Sequence, residues 1–139
     1  MLYLHGNGGD RRLRLAANLC GAGAPPAGLM LRSTFDALPN AAAGRFPWLP
    51  VRTLLRDRFN SAAVADRVAC PVFQSHGTAD GVVPHALGER LHAAFPDRSA
   101  DGTAKRWEPV AGASHNAVRA TGGAAYAAAE AAFLRSVAP

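Results

Sequence analysis

Residues 71–80 read Pro-Val-Phe-Gln-Ser-His-Gly-Thr-Ala-Asp. The first five form an apolar run that predicts a strand over Pro71–Ser75, and the last five predict a turn over His76–Asp80. A helix is expected at about His85–Ala94, because two leucines and a phenylalanine recur there at intervals of four. Strand, turn and helix in this order indicate one unit of an α/β structure with a parallel sheet.

The same alternation of strand and helix continues over the rest of the chain. We predict further strands over Met1–Leu4, Gly28–Leu31 and Arg106–Val110, and further helices from Asp10 to about Leu19 and over Gly122–Val137. Between Asp36 and Ala69 the pattern is irregular, apart from a helix expected over Val51–Phe59. The alternation predicts an α/β fold: a parallel sheet of about four strands with right-handed crossovers and flanking helices, in a single domain spanning residues 1–139.

Asp80 and His115 are the candidate catalytic residues, since each lies in the turn that follows a predicted strand. An acid and a histidine at successive strand ends can form two members of a Ser-His-Asp relay. The acid fixes the imidazole tautomer, and the imidazole takes a proton from a nucleophile. In parallel sheets the functional crevice lies beyond the carboxyl ends of the strands, so we expect these side chains to meet there.

The third member of such a relay is missing, because the chain contains no Gly-x-Ser-x-Gly segment. Ser33 is the best substitute nucleophile, since it lies at the carboxyl end of a predicted strand, although a turn-forming Ser-Thr pair is favoured there. A general-base mechanism, in which His115 activates water and Asp80 orients the imidazole, needs no nucleophilic side chain but would be slower.

The composition excludes several classes of protein. With 139 residues, 49% hydrophobic and 18% charged, the chain can bury a core, so global disorder is not expected. The net charge of +5 comes almost entirely from arginine, and no aromatic residues interleave with the dense cluster Arg11–Arg14, so we expect no nucleic-acid partner. No apolar run reaches the ~18 residues of a membrane span, and no secretory segment opens the chain. We therefore expect a cytoplasmic protein.

No metal site and no cofactor are expected. Cys20 and Cys70 form neither a Cys-x-x-Cys pair nor a cluster at zinc spacing, and both lie in apolar surroundings that favour free thiols. The remaining candidate ligands are the histidines His76, His85 and His92, which we expect to be surface or loop-shaping residues.

Several of these segments, taken in order, resemble the α/β-hydrolase fold, and most closely the serine hydrolases grouped with α/β-hydrolase-domain-containing protein 13. The similar segments are Leu2–Gly9 (the oxyanion loop), Leu31–Phe35 and Phe46–Pro50 (after the nucleophile helix), His76–Asp80 with Val83-Pro84 (the acid loop), and Gly112–Asn116 (the histidine loop). The resemblance implies a serine hydrolase of esterase type that acts on a small-molecule ester or amide. It assigns Asp80 as the acid, His115 as the base, and Gly6, Asn7, Gly8 and Gly9 as the oxyanion loop.

The resemblance has a gap where the family carries its nucleophile. Only Asp10–Ala27, room for one helix, connects His5–Gly9 to the strand at Gly28, whereas the family has another strand and helix and then the nucleophile elbow. The chain resembles a family member with an internal deletion and a truncated start. Alternatively, His5–Gly9 serves as the strand-to-helix elbow, with Asn7 in the place of the serine. Asn7 cannot act as an alkoxide nucleophile.

Three interpretations of the function follow. The first is an esterase-like hydrolase with a degenerate active site. The second is a catalytically inactive α/β domain that binds a partner or forms a homo-oligomer through an unpaired sheet edge. The third is a deletion product of a full-length hydrolase.

Overall fold

The computed structural model describes residues 2–5, 9–45, 48–50 and 59–138. Four strands form one sheet, namely β1 (Leu2–His5), β2 (Leu29–Arg32), β3 (Val72–Gly77) and β4 (Arg106–Val110). They follow the spatial order β1-β2-β3-β4, and each neighbouring pair is parallel. The predicted parallel sheet of about four strands is therefore confirmed.

Helices connect and flank these strands. Those of the described residues are α1 (Gly9–Gly21), α2 (Leu38–Arg45), α3 (Ala62–Ala65), α4 (His85–Ala94) and α5 (Val118–Ser136). The predicted bounds of α4 and β4 are confirmed, and α5 begins four residues before the predicted start at Gly122. A kink at Gly123, with φ of 54°, divides α5, and glycine adopts this left-handed conformation without steric cost. None of the described helices combines the length and apolarity that a membrane crossing requires.

The segment from residue 36 to 69 is more regular than predicted, since it contains α2 and α3. Pro39 lies in the first turn of α2, where a missing backbone N–H costs nothing. The helix predicted over Val51–Phe59 falls outside the described residues except for Phe59, which has a positive φ of 33°.

The strand register brings the carboxyl ends of β2, β3 and β4 to one edge of the sheet. Arg32 is the partner of Ser75, and Gly77 is the partner of Val110. Because β3 continues through His76 and Gly77, these two residues belong to the strand and not to the predicted turn. Their pairing with β4 extends the strand to Gly77. The turn Thr78–Val83 that follows, which contains Asp80, is called the acid turn below.

Apolar side chains cover both faces of the sheet. In β2, Leu29 and Leu31 pack with α1 and α4 residues, whereas Met30 packs on the opposite face with Phe73 and Phe133. Successive strand residues point to opposite faces, so a strand that is apolar throughout is buried on both sides. Each fully buried side chain of this size contributes roughly 1.5–3 kcal/mol relative to an exposed one.

A buried polar network fastens α5 beneath the carboxyl edge. Arg32 donates to Glu130 at 3.1 Å and to the Tyr126 hydroxyl at 3.3 Å, and that hydroxyl lies 3.0 Å from Ser75 Oγ. Arg119 lies 3.4 Å from the second oxygen of Glu130. Charge-assisted bonds of this kind satisfy groups that would be costly to bury alone.

The two cysteines are free thiols, as predicted, and they lie side by side. Cys70 is buried and its thiol is hydrogen-bonded to that of Cys20, while the Ala69 N–H donates to Cys20 Sγ at 3.4 Å. Burial, followed by the neighbouring Cys20, raises the pKa of the Cys70 thiol to about 12. Cys70 is therefore an unreactive core thiol at neutral pH.

His76 was expected to be a surface or loop-shaping residue, and the surface alternative is wrong because His76 is fully buried. Three imidazole rings surround the Trp107 indole of β4. The distance between ring centroids is 6.3 Å for His76 and 5.4 Å for both His85 and His92. Burial, and then the charge of Lys105, lowers the pKa of His92 to about 4. Burial also lowers the pKa of His76. Within this aromatic cluster between α4 and β4, burial therefore favours the neutral forms of His76 and His92.

We expect the free energy of unfolding to fall as the pH drops from 7 to 5. The unfolded chain binds protons at the ordinary histidine pKa of 6.5, whereas folded His92 stays neutral until its own pKa of about 4. The contribution of neutral His92 to the free energy of unfolding is therefore full above pH 6.5 and is lost as the pH falls below that value. The loss is at most about 2 kcal/mol at pH 5. Urea unfolding at the two pH values measures the loss. His92→Gln should reduce it, and an unchanged loss in that variant would contradict the assignment.

Candidate active site

Asp80 is held in a buried turn directly after β3. Its Oδ1 accepts the backbone N–H groups of Val82 and Val83, both at 2.8 Å, and its side chain is 0% exposed. A buried carboxylate is tolerated only when hydrogen-bond donors replace its water. The local sequence supplies two of them, because the chain folds back over the acid before α4 begins.

His115 lies in the loop after β4 and meets this acid, as the sequence predicts from the strand ends. The distance from His115 Nδ1 to Asp80 Oδ2 is 2.8 Å, and the imidazole is 12% exposed. Because a carboxylate can only accept, Nδ1 carries the proton of the neutral ring. The lone pair is then on Nε2, which is the basic nitrogen.

Backbone hydrogen bonds join the acid turn to the histidine loop. The Thr78 N–H donates to Val110 O at 3.0 Å, and the Ala79 N–H donates to Ala113 O at 3.1 Å. In the reverse direction, the Gly112 N–H donates to Thr78 Oγ1 at 2.9 Å. The two loops therefore form one unit, and the spacing of the acid and the histidine does not depend on their own contact alone.

Gly77 permits this close approach. A Cβ built on Gly77 would lie 2.2 Å from Ala113 O and 2.7 Å from its carbonyl carbon. Both atoms belong to the backbone, which cannot move aside as a flexible side chain can. Only glycine at the end of β3 lets the two loops meet.

Ser33 lies at the same edge, at the end of β2, and it is 0% exposed. Its hydroxyl donates to the backbone carbonyl of His115 at 2.8 Å. Its φ of 51° is unusual for a residue other than glycine. The contact fastens the histidine loop to β2.

The expected oxyanion loop falls mostly outside the described residues. This applies to Gly6, Asn7 and Gly8, whereas Gly9 is the first residue of α1. The strand that precedes them in the sequence, β1, runs parallel to β2, and α1 begins at Gly9. The oxyanion role of these residues and the alternative of a strand-to-helix elbow both stay predictions.

His76 is the site residue that the sequence analysis missed. Its Nε2 lies 3.2 Å from Asp80 Oδ2 and 3.0 Å from Val83 O. The four-residue spacing between His76 and Asp80 was visible in the sequence. This spacing alone predicts no contact, because His76 faces Asp80 only through the way in which the buried end of β3 is folded.

The arrangement can orient one imidazole and move a proton at His115 Nε2. Within the described residues, no cluster of three or more histidine, cysteine, aspartate or glutamate side chains has the geometry to hold a metal ion. The contact between His115 and Asp80 offers the chemistry of an acid–base pair.

Comparison with known proteins places this chain beside uncharacterized relatives. It matches no protein-family model. The uncharacterized proteins Rv2307c and MT2364, from two strains of Mycobacterium tuberculosis, are each 41% identical over 92 residues, which is 66% of this chain and 31% of theirs. The chain thus spans about a third of the length of the curated relatives that it matches.

Solved structures define the fold. A Paleococcus ferrophilus monoacylglycerol lipase has a TM-score of 0.64 at 17% identity, covering 98% of this chain and 68% of the lipase. Est1E from Butyrivibrio proteoclasticus has a TM-score of 0.64 at 16% identity, covering 97% and 59%. The Mycobacterium tuberculosis esterase Rv0045c has a TM-score of 0.51 at 16% identity, also covering 97% and 59%. The chain therefore has an α/β-hydrolase fold, represented by a four-stranded parallel sheet with flanking helices.

Gly77→Ala should separate the two loops of the site. The added methyl group collides with backbone, so we expect a loss of stability of more than about 2 kcal/mol together with loss of the hydrogen bond between His115 and Asp80. Urea unfolding and the low-field Nδ1–H proton resonance of His115 measure the two effects. Gly81→Ala is the matched control, since a Cβ there meets nothing within 4 Å. Equal behaviour of the two variants would show that the close approach is unimportant.

Proposed function

We propose that this chain is an esterase-like hydrolase domain in which Asp80 and His115 form the acid–base pair. The observation that carries the proposal is the 2.8 Å contact between His115 Nδ1 and Asp80 Oδ2 at the carboxyl edge of a parallel sheet. The resemblance of its motifs to the serine hydrolases grouped with α/β-hydrolase-domain-containing protein 13 supports the same assignment. The fold that the chain shares with structures described as an esterase and a lipase supports it as well.

The proposed nucleophile is water. The sequence contains no Gly-x-Ser-x-Gly, and the Ser33 hydroxyl is buried and donates to the His115 carbonyl. We therefore assign Ser33 the role of fastening the histidine loop. The nucleophile elbow of the family has no serine counterpart in this chain.

The proposed reaction is general-base hydrolysis of a small-molecule ester or amide. Water attacks the carbonyl carbon while its proton passes to His115 Nε2, and Asp80 stabilises the imidazolium that forms. The imidazolium then gives the proton to the departing oxygen or nitrogen as the bond to the acyl carbon breaks. The products are a carboxylic acid and an alcohol or amine, and no cofactor takes part.

The tetrahedral intermediate carries a negative oxygen that needs hydrogen-bond donors. We propose that backbone N–H groups of Gly6, Asn7, Gly8 and Gly9 supply them, because the resemblance assigns this segment, which follows β1 in the sequence, as the oxyanion loop. Fixed backbone donors stabilise an oxyanion without the cost of reorganising water.

Turnover of p-nitrophenyl acetate tests the proposal. Because general acid–base catalysis contributes about 10²–10⁴-fold, His115→Ala should lower kcat by at least about tenfold. Asp80→Asn should also lower kcat, because His115 would then adopt the wrong tautomer. His92→Gln is the control, since this histidine lies on α4 outside the pair. Turnover that is unchanged in His115→Ala, or absent from the wild type, would contradict the proposal.

A fluorophosphonate probe distinguishes water from a serine nucleophile in the same protein. We expect no labelled serine, because the water route forms no covalent intermediate. A labelled Ser33 peptide, identified by mass spectrometry and lost in Ser33→Ala, would replace water by Ser33 as the nucleophile.

A second candidate function is self-association, with or without catalysis. In the part of the chain that the structure describes, β1 pairs only with β2 and so lies at an edge of the sheet. Its apolar strand offers unpaired backbone groups to a second copy of the chain. We propose a homo-oligomer joined through this edge.

Sedimentation velocity over a range of concentrations tests this association. We expect species heavier than the 14.4 kDa monomer, in amounts that rise with concentration. His115→Ala should associate equally well, because it changes no residue of β1. A single monomeric species at every concentration would exclude pairing through this edge.

A further inference from the structure

His76 has a defined tautomer and a defined place beside the acid. Its Nε2 lies 3.0 Å from the Val83 carbonyl oxygen, which can only accept a hydrogen bond, so Nε2 carries the proton. The same Nε2 lies 3.2 Å from Asp80 Oδ2, and both side chains are 0% exposed. The ring N–H therefore donates to Val83 O, and the same nitrogen lies in close electrostatic contact with the Asp80 carboxylate.

His76, Val83 and Asp80 form a closed set of polar contacts. The Val83 carbonyl oxygen accepts a hydrogen bond from His76, and the Val83 N–H donates to Asp80 Oδ1 at 2.8 Å. Asp80 Oδ2 in turn lies against the donor nitrogen of His76. The carboxylate plane is thus held at both oxygens, and Oδ2 is left facing His115 Nδ1.

The Asp80 carboxylate is surrounded by nitrogen donors. Oδ1 accepts two backbone N–H groups and Oδ2 accepts from His115 at 2.8 Å, while His76 Nε2 lies 3.2 Å from Oδ2. A carboxylate offers about four acceptor positions, and three of them here accept hydrogen bonds. These contacts hold the carboxylate in one orientation.

The packing around His76 requires a neutral ring. Its Nδ1 is buried and has no hydrogen-bond partner among the described residues. A Cβ added to Gly88 of α4 would lie 2.3 Å from that nitrogen. The α4 backbone therefore closes over the side of the ring that a second proton would occupy, and Gly88 is the residue that makes room for it.

We propose that His76 is a positioning residue that aims the Asp80 carboxylate at His115. It never touches the substrate. It acts through Asp80 by holding Oδ2 where the His115 Nδ1–H must donate, which keeps the His115 lone pair on Nε2. The proposal deepens the acid–base function above and rests on it for its effect on turnover, but not for its effect on the tautomer of His115.

Two substitutions of His76 separate the donated hydrogen bond from the bulk of the ring. His76→Gln can place an amide N–H where Nε2 lies, whereas His76→Leu fills the space without a donor. Long-range ¹H–¹⁵N spectra should show the Nδ1–H tautomer of His115 in the wild type and in His76→Gln, and a mixture of tautomers in His76→Leu. In the ester assay, His76→Leu should lower kcat about tenfold with little change in KM, because a His115 that loses the Nδ1–H tautomer no longer carries its lone pair on Nε2. His76→Gln should recover most of the loss.

The outcomes decide the two proposals separately. A folded His76→Leu protein whose His115 keeps the Nδ1–H tautomer overturns the positioning role, whatever the assay shows. A wild type without turnover dependent on His115 overturns the catalytic function, yet the tautomer shift in His76→Leu would still support positioning. Far-UV circular dichroism establishes folding. If His76→Leu does not fold, Gly88→Ala is the second variant, because its methyl group displaces the His76 ring without removing it. Gly81→Ala is the control. An unchanged His115 tautomer in Gly88→Ala overturns the positioning role.

Discussion

The buried carboxylate of Asp80 is the constraint on which the site depends. An isolated charge in a protein interior is very costly, and it persists only when donors replace the lost water. Two donors come from the turn that follows Asp80 and one comes from His115, and the His76 imidazole lies 3.2 Å from the carboxylate. The acid turn, the end of β3 and the loop after β4 must therefore fold together, because each supplies part of the polar shell around one carboxylate.

The sheet determines where those parts meet. The parallel register pairs Gly77 with Val110, so the acid turn and the histidine loop leave the sheet side by side. Glycine at position 77 then lets the two backbones touch. Directly after β2, Ser33 ties the carbonyl of His115 to the end of that strand. Contacts from three neighbouring strands thus hold the His115 loop in place.

The chemical groups of the site were more predictable than their surroundings. Asp80 and His115 stand out because each follows an apolar run, and parallel strands bring such positions to one edge. Helix α2 was missed since its sequence has no clear apolar period and includes Pro39. Its stability comes from packing, as Leu38 contacts a cluster formed by Phe35, Val83 and Leu87. Those contacts join segments far apart in the chain, and local pattern does not report them.

The sequence by itself determined the alternation of strands and helices, the parallel sheet and the acid and histidine that meet at the carboxyl ends of its strands. These follow from apolar periodicity and from the chemistry of the side chains, which are local properties. Only the tertiary structure decided that His76 is buried against Asp80 and that Gly77 and Gly88 are close-approach positions. It also decided that the Ser33 hydroxyl serves the His115 carbonyl. The physical reason is that hydrogen-bond satisfaction and close packing depend on which distant segments share a space, and no local pattern encodes that.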